Sequence, residues 1–198
     1  YPTKTGFEVF WEIGKQIQAM LLPRGKFMVK KATSKLKFQI IFEEFLKKRD
    51  WHDELDVNAE KKLVTLNTGV RAGSHSGRLI IEGNDANDVV DFYFYLEHIS
   101  CKQAKLDQMV LLLNEIHERW AFGRFTVVRD RGIIRWQHRI DFEGSQPTGL
   151  SIERNVSPGE AAIEEFGDVI AAVALTKQTA AEAIAQYDEE QKSKTKDD

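Results

Sequence analysis

Arginine is the residue type whose number and spacing most clearly suggest chemistry in this sequence. Between residues 119 and 154 there are seven arginines against four acidic residues, namely Arg119, Arg124, Arg129, Arg131, Arg135, Arg139 and Arg154. The planar guanidinium group matches the geometry of carboxylates and phosphates. Arg135 and Arg139 lie in a stretch that alternates between apolar and polar residues, so both should project from one face of a β-strand. The pattern predicts a surface for an anionic partner, including nucleic acid.

The same arginines also have a structural interpretation, which we favour. The segment from Glu160 to Glu190 contains eight acidic residues against Lys177 alone. Ion pairs between a basic strand face and an acidic helix, within one chain or between subunits, would neutralise both. In addition, no aromatic residue is obviously exposed among the arginines to stack on nucleic-acid bases.

Histidine, cysteine and glycine provide weaker candidates for a site. The five histidines are dispersed and form no His-Glu-x-x-His pair: His52, His75, His98, His117 and His138. Cys101 lies beside His98 and is interpreted as a small packing residue. Residues 69–77 are rich in glycine but lack the Lys-Ser/Thr ending of a phosphate-binding loop, so we predict a loop that joins two strands. We therefore predict no catalytic residue, no metal, no cofactor and no enzymatic activity.

The composition predicts a packed globular domain. Hydrophobic residues make up 42% of the 198 residues and charged residues 30%, which excludes extensive disorder. The formal net charge of -3 gives no general attraction to nucleic acid or acidic membranes, so only local patches can provide it. With a single cysteine there is no intrachain disulfide, and a reducing, cytoplasmic location fits best.

Hydrophobic periodicity divides the first half of the chain into one helix and a group of strands. Thr33-Ser34 is a candidate N-cap for a helix with an apolar stripe that ends at Arg49. Strands are predicted at residues 63–66, 79–81 and 89–96, with a further short one near 55–57. Ser100 and Gln103 form a capping-box pattern that predicts the start of a second helix, which ends before Gly123.

The second half is predicted to contain a β-hairpin and a final helix. The hairpin covers residues 124–142 and turns at 130–132. Its second strand should place Ile134, Trp136, His138, Ile140 and Phe142 in the core. Ser157-Pro158 is a typical helix start for the last helix, which runs to Tyr187. The predicted fold class is α+β, an antiparallel sheet with the order α-β-β-β-α-β-β-α.

The ends of the sequence are predicted to differ from the central domain. Residues 1–27 form an amphipathic N-terminal extension whose stripe of Phe7, Phe10, Trp11, Ile17 and Leu21 should be buried, and whose charged residues exclude a membrane span. Residues 28–187 form the folded domain. Residues 188–198 are almost wholly polar or charged, which predicts a disordered tail.

A local pattern between Leu111 and Phe142 resembles a known family. A helix ends with Leu113-Asn114-Glu115-Ile116, residues 120–125 read Trp-Ala-Phe-Gly-Arg-Phe, and a turn at residues 130–132 leads into an alternating strand. The order of elements over residues 35–187 resembles that of class I type III secretion chaperones, and together with this pattern it makes the chain similar to their YbjN-type bacterial relatives.

The resemblance implies a non-enzymatic, often dimeric domain that binds extended or partly unfolded segments of other proteins in a chaperone-like, adaptor-like or regulatory role. On that basis Arg124, Arg135, Arg139, Trp120 and Phe122 are the candidate partner-binding residues. A homodimer interface is expected at Met109, Leu112, Leu113 and Trp120, because the second helix has more apolar residues than one sheet face needs. The alternative is a nucleic-acid or anionic-ligand module that uses the hairpin 124–139.

Overall fold

The core of the molecule lies between one antiparallel sheet and the helices that cover one of its faces. The computed structural model describes residues 35–194. Its sheet has six strands: β1 (Leu55–Asn58), β2 (Leu63–Ala72), β3 (His75–Asn84), β4 (Val89–Ser100), β5 (Arg124–Val128) and β6 (Ile133–Asp141). The strand order is β1-β2-β3-β4-β6-β5 and every pairing is antiparallel. The predicted α+β class is therefore confirmed.

Four helices accompany the sheet: α1 (Lys37–Arg49), α2 (Leu106–Arg119), α3 (Gly149–Leu175) and α4 (Ala180–Lys194). α3 is the central one, since it contacts the other three helices as well as β2, β3, β4 and β6. α1 lies over the β1–β3 half of the sheet, and α2 contacts β5. The predicted N-terminal helix falls in residues 1–27, outside the described residues.

Strict alternation in the central strands explains why the four described helices cover one sheet face. In β4, Val90, Phe92 and Phe94 are buried under the helices, whereas the residues between them are only partly buried. Ile134 and Trp136 in β6 repeat this pattern, as the sequence predicted. Successive side chains of a strand point to opposite faces, so a two-residue period separates the core from the other face.

Several predicted boundaries were wrong because distant contacts outweigh local signals. α1 begins at Lys37 without a side-chain cap from its own segment, and Asp85 instead accepts hydrogen bonds from the Lys37 and Phe38 amides, at 2.6 and 3.0 Å. Ser100 is the last residue of β4 rather than a helix cap. Residues 69–77 are mostly strand, since only Gly73 and Ser74 separate β2 from β3.

The final helix also differs from its prediction. It begins at Gly149 behind Thr148, whose side chain forms a capping box with Ser151, and Pro158 lies inside it. A break at residues 176–179 separates it from α4. α4 continues to Lys194, so residues 188–194 of the predicted tail are helical.

Candidate functional site

The sheet face that the helices leave uncovered carries a band of polar and aromatic side chains. Cross-strand pairing places Tyr95 opposite Arg135, Tyr93 opposite Gln137, and Asp91 opposite Arg139. On the far side of β6, Arg124 pairs with Gln137 and Thr126 with Arg135. These residues form three adjacent rows. Two of the rows cross β4, β6 and β5, and the third, Asp91 with Arg139, crosses β4 and β6 only. We call this region the open face.

Arg135 is fixed on the open face by two tyrosines. Its guanidinium carbon lies 4.8 Å from the ring centre of Tyr93 and 5.7 Å from that of Tyr95. It donates a hydrogen bond of 3.0 Å to the Tyr95 hydroxyl and a longer one, 3.4 Å, to Thr126 Oγ1. Cation–π contacts and hydrogen bonds to neutral groups hold the side chain without neutralising its charge.

Arg139 is held by an ion pair instead. It donates from Nε and Nη2 to the two carboxylate oxygens of Asp91, at 2.6 and 2.7 Å. Such a bidentate pair fixes the guanidinium plane. The Arg139 side chain is nevertheless 69% exposed, so part of it remains available to a ligand.

An open pocket of about 660 Å³ lies over these residues. It is lined by Asp91, Tyr93, Ala121, Gly123, Arg124, Arg135, Gln137, His138 and Arg139. Burial raises the pKa of Tyr93, with the nearby charges of Asp91 and Glu82 adding to the effect, so its hydroxyl stays protonated. Burial lowers the pKa of His138. At neutral pH the pocket therefore contains three positive side chains and one negative one.

The pocket lies where β6 extends beyond the start of its neighbouring strand β5. β5 begins at Arg124, opposite Gln137, while β6 continues to Asp141. The Phe142 amide donates to the Asp88 carbonyl on the β4 side, at 2.7 Å. Because backbone groups alternate in direction along a strand, those of Arg139 and Asp141 point to the opposite side, where they have no backbone partner within residues 35–194.

The outer edge of β5 is partly closed. The Phe125 amide, which faces away from β6, donates to His117 Nε2 of α2 at 3.0 Å. Burial lowers the pKa of His117, and the positive charge of Arg124 acts in the same direction. The neutral ring is thus the form that accepts this bond, and β5 offers one fewer free backbone donor than an ordinary edge strand.

The structure separates the predicted partner-binding residues into two places. Arg124, Arg135 and Arg139 line the pocket, and Phe122, 39% exposed, packs against the pocket residue His138 with 4.5 Å between ring centres. Trp120 lies elsewhere: it packs edge-on against Phe166 and lines a second depression with Tyr187.

Three of the four residues predicted for a dimer interface are buried within the chain, and the fourth, Trp120, is partly buried. Met109, Leu112 and Leu113 are buried in the core formed by α2, the sheet and the other helices. The apolar surplus that motivated the dimer prediction is thereby accounted for. Leu111, on another face of the same helix, is the exposed apolar residue of α2.

Within residues 35–194, the predicted pairing of the arginine-rich segment with the acidic helix occurs only at Arg119, which donates to Asp188 at 3.3 Å. Arg135 and Arg139 do not pair with an acidic helix of the same chain, because their side chains project from the sheet face opposite the described helices. Pairing of these arginines between subunits stays a prediction. The acidic residues Glu153 and Glu160 of α3 instead bind Arg49 of α1, with hydrogen bonds of 2.7 to 2.9 Å.

Histidine and cysteine do not assemble a metal site in the part of the chain that the structure describes. His75 faces Asp168 at 3.0 Å, His117 accepts from the Phe125 amide, and the His138 ring packs at a tilt against Phe122. Cys101 is buried, and burial raises the pKa of its thiol. A raised pKa disfavours the reactive thiolate, which agrees with a packing role.

Sequence reasoning missed Asp91, Tyr93, Tyr95 and Gln137. The sequence did contain a signal, because polar and apolar residues alternate from Val89 to Leu96. This alternation places Asp91, Tyr93 and Tyr95 on the sheet face away from the buried Phe92 and Phe94. The neighbouring strand was unknown, so the contact between the tyrosines and Arg135 could not be inferred.

Within residues 35–194, none of the helices combines the length and apolar character needed to cross a bilayer. Searches of curated proteins and of solved structures found no match. A family model, described as "YbjN: Putative bacterial sensory transduction regulator", matches residues 41–172, which include most of α1, all six strands, α2 and most of α3. The chain belongs to the YbjN family.

Proposed function

We propose that this chain is a regulatory, non-enzymatic domain that binds an extended segment of a partner protein, and that the segment pairs with β6 at Arg139–Asp141. The observation that supports the proposal is the unpaired backbone of β6 beyond the start of β5, beside an open pocket. A regulatory role also agrees with the description of the family.

Strand addition suits this place for physical reasons. Main-chain hydrogen bonds to an exposed strand provide affinity for any extended segment, and pockets beside the strand select its side chains. Here the added segment would continue the line of β5, which diverges from β6 at Gly123, a residue with a φ of 68°. Phe122 provides an apolar contact next to the same edge.

The test begins with a displayed library of short peptides selected against the full chain. Selected peptides are then resynthesised with single N-methyl groups, and their affinity is measured by fluorescence anisotropy. A peptide that pairs with β6 should lose most of its affinity when a methyl group blocks an amide that faces the protein. Methylation of the neighbouring amide, which faces away, is the matched control and should have little effect.

Two results would contradict the proposal. One is a failure of the selection to give any peptide that binds above the level of a scrambled sequence. The other is an affinity that depends on peptide side chains but not on the alternation of methylated amides, because that pattern is typical of helix or side-chain recognition rather than strand pairing.

A further inference from the structure

We propose that the pocket of the open face is a binding site for a phosphate monoester, held by Arg124, Arg135 and Arg139. The proposal concerns the chemistry of the pocket and does not require that a partner segment pairs with β6. The ligand can be a small phosphorylated molecule or a phosphorylated side chain of a partner, since both present the same dianionic group.

The first argument is the excess of hydrogen-bond donors in the pocket. Within the described residues the Arg124 side chain forms no ion pair or hydrogen bond, and the side-chain carboxamide of Gln137 has no protein partner. Arg135 uses Nη1 and Nε for Tyr95 and Thr126, so its Nη2 nitrogen remains available. The protonated Tyr93 hydroxyl adds one more donor.

The second argument is that the negative charge of the pocket is already paired. Asp91 is the one carboxylate among the lining residues, and Arg139 already occupies both of its oxygens. A ligand that brings acceptor oxygens therefore completes the hydrogen bonding of the pocket, whereas a cationic or purely apolar ligand does not. Guanidinium groups bind phosphate oxygens in a bidentate manner, which makes an oxyanion the matching ligand.

The third argument concerns charge and rigidity. Three guanidinium groups and one carboxylate leave two positive charges for the ligand to balance. A phosphate monoester carries a charge of about −1.5 to −2 at pH 7, closer to this value than a single carboxylate or a phosphodiester. Arg135 and Arg139 are already held by the tyrosines and by Asp91, so binding orders mainly Arg124. A preorganised site loses less free energy to ordering.

The experiment is a calorimetric titration of the full chain with phenyl phosphate at low salt, with methyl phenyl phosphate as the matched diester. We expect measurable binding of the monoester, binding of the diester that is weaker by about tenfold, and weakening by added salt. Arg124→Gln should weaken the monoester by about tenfold or more, because it removes charge-assisted hydrogen bonds. Arg129→Gln, a substitution of an exposed arginine in the β5–β6 turn, should leave binding unchanged.

Equal affinity for the two esters would overturn the proposal and indicate a phosphodiester surface suited to nucleic acid. Absence of monoester binding, or binding that Arg124→Gln leaves unchanged, would overturn it as well. Phenyl phosphate has no peptide backbone, so its titration tests the pocket independently of strand pairing with β6. A phosphoserine peptide that binds more tightly than phenyl phosphate would assign the phosphate to a partner segment, and equal affinity would assign it to a small molecule.

Discussion

Arg49 shows how one side chain can fix two helices. It leaves α1 and donates to both Glu153 and Glu160 of α3, which lie close enough together to share one guanidinium. These side chains are largely but not fully buried, with 18 to 22% exposed. Burial alone would raise the pKa of Glu153, but the hydrogen bond and charge of Arg49 outweigh it and hold this pKa below its ordinary value.

Arg49→Ala should therefore destabilise the chain by about 2 kcal/mol, since it leaves two facing carboxylates without a counter-charge. The loss should shrink in acid, because a carboxyl with a lowered pKa contributes its stability above its unfolded pKa of about 4.5 and loses it as the pH falls further. Urea unfolding at pH 7 and pH 3.5 measures both effects. The exposed Lys47→Ala is the control, and equal losses for the two variants at pH 7 would contradict the account.

His117 is the residue whose protonation should change the sheet edge. Its pKa is lowered in the folded chain, mainly by burial, whereas an unfolded histidine has a pKa of about 6.5. As the pH falls below that value the unfolded chain binds the proton first, so the free energy of unfolding should decrease between about pH 7 and pH 5. His138 contributes in the same direction, because its pKa is also lowered by burial.

Unfolding curves across that pH range should show a smaller decrease for His117→Gln, whose amide oxygen can still accept from Phe125. His98→Gln changes an exposed histidine and should keep the parent's pH dependence. If both variants followed the parent, His117 would have no part in the pH dependence.

Among the elements, α1 depends on a cap from the β3–β4 turn. Asp85 accepts from the first two amides of this helix, although it lies far away in the sequence. Asp85→Ala should cost about 1 to 2 kcal/mol, the usual range for a lost N-cap. Thermal unfolding compared with Asp53→Ala, a change at an exposed position before β1, isolates the cap. Unchanged stability in Asp85→Ala would show that water replaces the carboxylate without loss.

The packing of α3 on β6 requires a glycine. The Trp136 indole occupies the space beside Gly159, and a Cβ at this position would lie 2.7 Å from Trp136 Cζ3. Overpacking costs about 1 to 3 kcal/mol, which exceeds the gain of about 0.5 to 1 kcal/mol that alanine brings to a helix.

We therefore expect Gly159→Ala to destabilise the chain by about 1 kcal/mol or more, as measured by urea unfolding. Gly69→Ala provides the matched control, because a Cβ there meets no atom within 4 Å. A stabilised Gly159→Ala would mean that the indole moves aside freely.

The elements also show what the sequence could and could not predict. The alternation of Ile134 to Phe142 and the turn at residues 130–132 were enough to predict the hairpin, because both are local signals. The starts of α1 and α3 were predicted wrongly, each for its own reason. Asp85 caps α1 from another element, and Pro158, which looked like a first helical residue, lies inside a longer helix. The open face required the strand order, which no local pattern contains.

At the scale of the whole described domain, residues 35–194, the sheet has one face covered by the four helices and an open face. The helices bury the apolar side of β2, β3, β4 and β6, whereas Asp91, Tyr93, Tyr95 and Arg135 remain on the other side. Both proposals concern one region of this second face, where the unpaired edge of β6 meets the donor-rich pocket. A partner segment and an anionic group can therefore be recognised side by side.

The most direct test of this account is amide hydrogen exchange, measured residue by residue in the full chain with and without a selected peptide. Pairing with β6 should slow exchange of the Arg139 and Asp141 amides, because the added strand supplies the acceptors that these amides lack. The amides of β1, at the opposite edge of the sheet, should be unaffected. Slower exchange along β1, or unchanged exchange at Arg139 and Asp141 in the saturated complex, would contradict the account.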